Sequence, residues 1–230
     1  MRQFILLASA ALWLSALSVG APCTTGTLSS YIALGSAGCT IGTNNLFDFR
    51  TLNVTSGATA ISTTSVSLTP LGGTLDPGLT AAVSVSASSG NLLETLFTYK
   101  ISGNSYLSSS ITLSGGTETG TGAVGEIENY CAGGVFGSSG ITGCTGVAGT
   151  LLTLDGIQAS DSRSFSAVTI LGVTNDLTID AGPAGSASGG TFTDRFTATS
   201  AVPEPFSVTL SALGLSLAIV ARKKLTNSKL

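Results

Sequence analysis

In SFSAVTILGVT, residues 164–174, β-branched and aromatic residues are interleaved with Ser, Thr and Gly; Val168 and Ile170, then Leu171 and Val173, stand two apart. A spacing of two places alternate side chains on opposite faces of an extended chain, so this stretch predicts a half-buried strand. The same rhythm recurs in SVSLTPL (65–71), AAVSVSAS (81–88), LFTYKIS (96–102) and YLSSSITLS (106–114). Between these runs lie LGG, DPG, SGN, SGG and AGG. Gly and Asn accept the positive φ of tight turns, which makes these the turn positions. GNLLETLF (90–97) fits either a helical turn or the lead-in to a strand. No helical period is sustained between Pro22 and Ser200, and no fixed-period repeat marks a propeller or solenoid. The expected architecture is all-β: one sandwich or jelly-roll-like domain of about ten strands over residues 21–200.

Charge excludes one class of partner. Between Pro22 and Val202 four basic residues (Arg50, Lys100, Arg163, Arg195) face eleven acidic ones, a net of −7. Such a surface is a poor match for phosphates, so nucleic acid is not an expected partner.

The chain ends have their own logic. Arg2, the apolar stretch Phe4–Leu17 and the small residues around Ser18 and Gly20 have the layout of a secretory signal peptide over residues 1–20. Gly20, Ala21 and Pro22 before Cys23 lack the leucine and small residue of a lipidation site. After that leader, Cys23, Cys39, Cys131 and Cys144 form an even set, which in an exported chain predicts disulfides. Spacing favours Cys23–Cys39 and Cys131–Cys144, with the long-range pairings open. With no histidine and no C-x-x-C, a zinc site is not expected.

At the other end, residues 206–221 carry no charge and have the length of about 24 Å as a helix, near the lower limit for crossing a hydrocarbon core. Arg222, Lys223 and Lys224 follow and would stay cytoplasmic, leaving the β-domain outside. Pro203-Glu204-Pro205, then the apolar segment and the basic residues 222–230, resembles the PEP-CTERM sorting tail of Gram-negative bacteria (residues 201–230, motif 202–205). That resemblance implies a membrane-embedded exosortase-type protease as partner, an inner-membrane anchor with the domain in the periplasm, and later release to the outer surface or beyond, in association with exopolysaccharide. Residues 29–53 and 164–197 also resemble segments of PEP-CTERM proteins from environmental bacteria, where an alanine-rich strand, a Gly-Cys-x-Ile-Gly turn and an aromatic strand open the domain. The resemblance implies no assigned activity.

Candidate chemistry is sparse. Glu126 and Glu128 in GEIENYC stand two apart, on one face of a strand and roughly 7 Å from each other, and are expected on a solvated face. Carboxylate pairs hydrolyse glycosides when they flank a sugar from different elements. Asp155, Asp161, Asp176 and Asp180 fall near turns, where calcium or turn-starting roles both fit. The absence of histidine removes Ser-His-Asp and Cys-His catalysis. Trp13 belongs to the leader, leaving Tyr31, Tyr99, Tyr106 and Tyr130, each expected toward the core or the sheet rim. The sequence therefore points to an exported surface or matrix protein without cofactor, metal or enzymatic activity. The alternatives are an exopolysaccharide-binding module, needing a tyrosine-lined groove, and a carboxylate-dependent glycoside hydrolase or lyase.

Overall fold

A computed structural model describes residues 20–199; Pro203, Glu204, Pro205, Arg222, Lys223, Lys224, the 206–221 segment and residues 1–19 of the leader lie outside the described residues. In chain order the elements are β1 (Gly26–Thr27), α1 (Leu28–Ile32), β2 (Cys39–Ile41), β3 (Asn44–Thr51), β4 (Thr59–Ala60), β5 (Val66–Leu71), β6 (Gly78–Val83), β7 (Ser86–Ser88), β8 (Leu92–Ser114), β9 (Thr117–Thr119), β10 (Ala123–Ala132), β11 (Val147–Leu154), β12 (Ser160–Asp180), β13 (Ser186–Ser188) and β14 (Thr191–Thr199). The fold is all-β. Eleven strands form one sheet, in the order β1-β5-β6-β14-β8-β12-β10-β11, with β3, β2 and β4 attached on the β8 side. All its pairings are antiparallel except β4 on β8. A small sheet, β7-β13-β9, completes it.

The strands are fewer and longer in the middle than the punctuation suggests. LFTYKIS and YLSSSITLS, expected as two strands split at Ser102-Gly103-Asn104, are one 23-residue strand, β8. Gly103 bends the strand without turning it back: its φ is 127°, and a Cβ there would lie 2.2 Å from the Thr43 carbonyl oxygen. Opposite, β12 shifts register between Ser164 and Ile170. The bends fold the sheet over on itself. Glu128 pairs with Asn175 and Asn175 with Phe97, yet the Ser109 hydroxyl, twelve residues further along β8, reaches Glu128 at 2.5 Å. A straight strand would separate those positions by about 40 Å. Phe97 and Phe192, from the two halves, meet at 6.2 Å between ring centroids.

The alanine-rich opening differs from expectation. Residues 28–32 are a helical turn, α1, because Thr27 caps it: its Oγ1 accepts the Ser30 N–H at 3.2 Å. Leu28 and Tyr31, three apart, are buried on one face, and Tyr31 meets Phe49 edge-on at 5.1 Å. The Gly-Cys-x-Ile-Gly segment is the short strand β2, which pairs with β3 through a tight connection. There Gly42 has a φ of 60° and a Cβ would sit 2.6 Å from Thr74 Oγ1. Cys23 is bonded to Cys39 and Cys131 to Cys144, with Cα atoms 4.8 and 5.6 Å apart. No described helix is long and apolar enough to cross a membrane.

Candidate functional site

The structure moves Glu126 and Glu128 from the expected solvated face into the interior. Both are fully buried on β10, in phase with buried Val124 and Tyr130. The reason is the fold-over: this face of β10 looks toward the far half of the sheet, which contributes Asp194 from β14, also fully buried. Asp194 Oδ2 accepts the Tyr99 hydroxyl at 3.0 Å and the Asn175 amide at 2.5 Å. Ser109 donates to Glu128 Oε1. Burial, then the nearby Asp194 charge, holds both glutamates well above the usual carboxylate range. Asp194 is pushed up to about 6 by burial, against bonds from Asn175, Tyr99 and Glu128 that favour its charged form. Burial foremost also raises Tyr99 far above an ordinary phenol. A polysaccharide has no route to these acids.

The aspartates near turns are not brought together. Asp161 accepts the Leu152 N–H at 3.1 Å and the Ser162 N–H at 2.8 Å, and Asp180 accepts the Gly182 N–H at 2.7 Å. These bonds start or brace turns, which is what aspartate does unaided. Asp176 lies on the outer face of β12 beside Glu94; burial first, then the Glu94 charge, raises it to about 7. Asp155 sits at the end of β11, where its N–H bonds the Val124 carbonyl. Among the described residues no group of three or more His, Cys, Asp or Glu side chains is arranged to hold a metal ion. All four tyrosines are buried.

What solvent does reach is a cleft of about 440 Å³ between β3, β8 and the loop closed by Cys131–Cys144. The volume is within the range of small-ligand sites. Its charged lining is Asp48, Arg50 and Lys100. Asp48 has a φ of 56°, unusual for a residue with a side chain, at a register shift of β3 between Phe47 and Arg50. That bulge turns Asp48 to Lys100, whose Nζ donates to Oδ2 at 2.7 Å and lies 5.8 Å from the centre of the Phe47 ring. Arg50 donates to the Gly137 carbonyl at 3.0 Å, and Thr174 donates to that of Gly140, so two hydrogen bonds and the disulfide pin the loop as the far wall. Sequence reading missed this cleft. Its parts are local turns and a bulge, and only the two cations in an acidic domain could have hinted at it. A second hollow, lined by residues 21–34 and Cys39, carries no charged side chain.

No protein-family model and no curated protein matches the chain. A chain of the glycosylation-associated protein (Gap123) complex from Streptococcus agalactiae aligns at 12% identity over 70% of this chain and 27% of its own, with a TM-score of 0.27. A likeness at that level carries no argument about function, and this chain spans about a quarter of that one's length.

Proposed function

We propose that the chain is an exported cell-surface or matrix protein whose folded-over sheet is a sandwich-like, non-enzymatic domain, anchored and then sorted through its PEP-CTERM-like tail. The observation that carries the exported half is the pair of disulfides, each closing a short loop and leaving no free cysteine among the described residues. Such bonds persist in oxidising compartments. The sorting half rests on the Pro203-Glu204-Pro205 tail and its cations. In that reading Glu204, flanked by two prolines that disfavour helix, is what an exosortase-type protease would recognise. The burial of Glu126 and Glu128 supports the non-enzymatic reading.

Intact-mass analysis of the protein released from the native host tests it. The expected product ends near Pro203–Pro205 and carries two disulfides; a released form still ending at Leu230, or free thiols, overturns it. The cleft favours a second reading, a saccharide-binding module. Asp48, Arg50, Lys100 and Thr98 supply hydrogen-bonding groups beside Phe49 and Phe136. A glycan array probed with the chain and with Lys100→Ala separates the two readings: saccharide binding that depends on Lys100 favours the module.

A further inference from the structure

The interior acids pose a problem of charge and of hydrogen bonding together. Glu126 and Glu128 from β10 and Asp194 from β14 are fully buried, and the donors that reach them with side chains are neutral: Tyr99 and Ser109 from β8 and Asn175 from β12. From β11, Thr153 turns its hydroxyl to the Glu126 carbonyl. Asp176, on the outer face of β12, adds negative potential at Glu126. The four cations among the described residues lie elsewhere: Lys100 on Asp48, Arg195 on Asp76, Arg50 on the Gly137 carbonyl, and Arg163 exposed near the start of β12. Three buried carboxylates with no counter-charge cost far more than a fold of this size tolerates.

The unmet hydrogen bonds point the same way. Glu126 Oε1 and Oε2, Glu128 Oε2, Asp194 Oδ1 and Asn175 Oδ1 are buried and unpartnered, and all five are acceptors. Each added proton turns one acceptor into a donor and can satisfy a second. Glu128 and Asp194 face each other within hydrogen-bonding reach, and each has one idle oxygen.

We propose that this interior is a proton-loaded latch: one proton between Glu128 and Asp194 and another on Glu126 hold the two halves of the folded-over sheet together at neutral pH, and their loss in alkali releases them. Glu128 belongs to one half and Asp194 to the other, so the shared proton bridges the halves. Without it, three like charges face one another in a medium that screens them poorly. The tail is not involved, and the cleft meets the latch only at Tyr99, which lines the one and donates to Asp194 in the other, so the latch stands or falls apart from the proposed function.

The chain offers a clean window for the test. It contains no histidine, and the cysteines of the described residues are bonded. Between pH 6 and 8 unfolded carboxyls are ionised, and outside the latch only the amino terminus and Asp176, raised to about 7, titrate. The experiment is denaturant unfolding of the disulfide-intact full chain across that window, together with proton release on unfolding measured by calorimetry in buffers of different ionisation enthalpy. The expected result is release of about two protons from the latch at pH 7, besides a fraction of one from Asp176, and an unfolding equilibrium constant that rises at least roughly hundredfold per pH unit, tenfold for each proton. The Glu126→Gln/Glu128→Gln double variant, which replaces both protons by amide donors, should lose most of that dependence. Stability that is flat or rises with pH, or unfolding without proton release, overturns the proposal. If the double variant fails to fold, the proton count of the parent chain decides alone.

Discussion

Strands β8, β10 and β12 carry acids on both faces, and the two groups have been treated differently. On the outer face Glu94 is as buried as a core residue, at 2% exposure. It is nevertheless served by a backbone donor: the Thr55 N–H reaches Oε2 at 2.8 Å and the Thr55 hydroxyl reaches Oε1 at 3.2 Å. On the inner face Glu126 has no donor in hydrogen-bonding geometry at either oxygen; the Asp176 backbone N–H comes near enough only to favour its charged form weakly against burial. Depth is therefore not what separates the groups. A loop laid across the outer face brings N–H groups that no strand can spare, because strand N–H groups are committed to the ladder. The inner face meets only another sheet, whose side chains must supply everything.

That contrast can be broken by mutation. The largest effect is expected at Asp194→Ala, which strands the Tyr99 hydroxyl and the Asn175 amide in the core; the loss should be about 3–5 kcal/mol in denaturant unfolding. Removing Cys131–Cys144 as a double Ser variant comes next, roughly 3 kcal/mol by loop-closure entropy. Faster hydrogen exchange should then be confined to residues 133–143, the cleft wall, while the inner acids stay protected. Glu94→Ala should cost about 1–2 kcal/mol through the stranded Thr55 N–H. It should also lower the Asp176 pKa from about 7, since the Glu94 charge is one cause of its rise; NMR titration of Asp176 checks both the value and the direction. Smallest is Lys100→Met, which removes a half-exposed ion pair and should change stability by less than about 1 kcal/mol.

The pH dependence has a definite sign. Asp194 at about 6 and Asp176 at about 7 are raised above the unfolded value of about 3.9. The stability they confer is complete below that value and is lost as pH rises through 6 and 7. Thermal melts from pH 4 to 8 should show a falling midpoint, the reverse of a domain held by salt bridges.

The strands were legible in the sequence because alternation survives any tertiary arrangement. The fold-over was not, since Gly103 in a Ser-Gly-Asn triplet looks the same whether a strand turns back or only bends. The buried acids could have been found from phase. In V-x-E-x-E-x-Y (124–130), V-x-N-x-L-x-I (173–179) and F-x-D-x-F (192–196), each polar residue falls in step with apolar neighbours that are buried. Placing Glu126 and Glu128 on a solvated strand face put them on the wrong side. Three strands with the same anomaly are a stronger signal than one, because an inward polar group needs a partner from another strand. The cleft left no such trace, as its shape depends on a bulge and a stapled loop that the pattern of residues does not encode.

The central claim is that Glu126 and Glu128 are neutral, interior groups at physiological pH. Infrared spectroscopy of the folded chain at pH 7, with bands assigned by Glu126→Gln and Glu128→Gln, tests it directly. The account predicts carbonyl bands of protonated carboxyl groups that disappear in the variants and on unfolding. Carboxylate bands alone, unchanged in both variants, would contradict it.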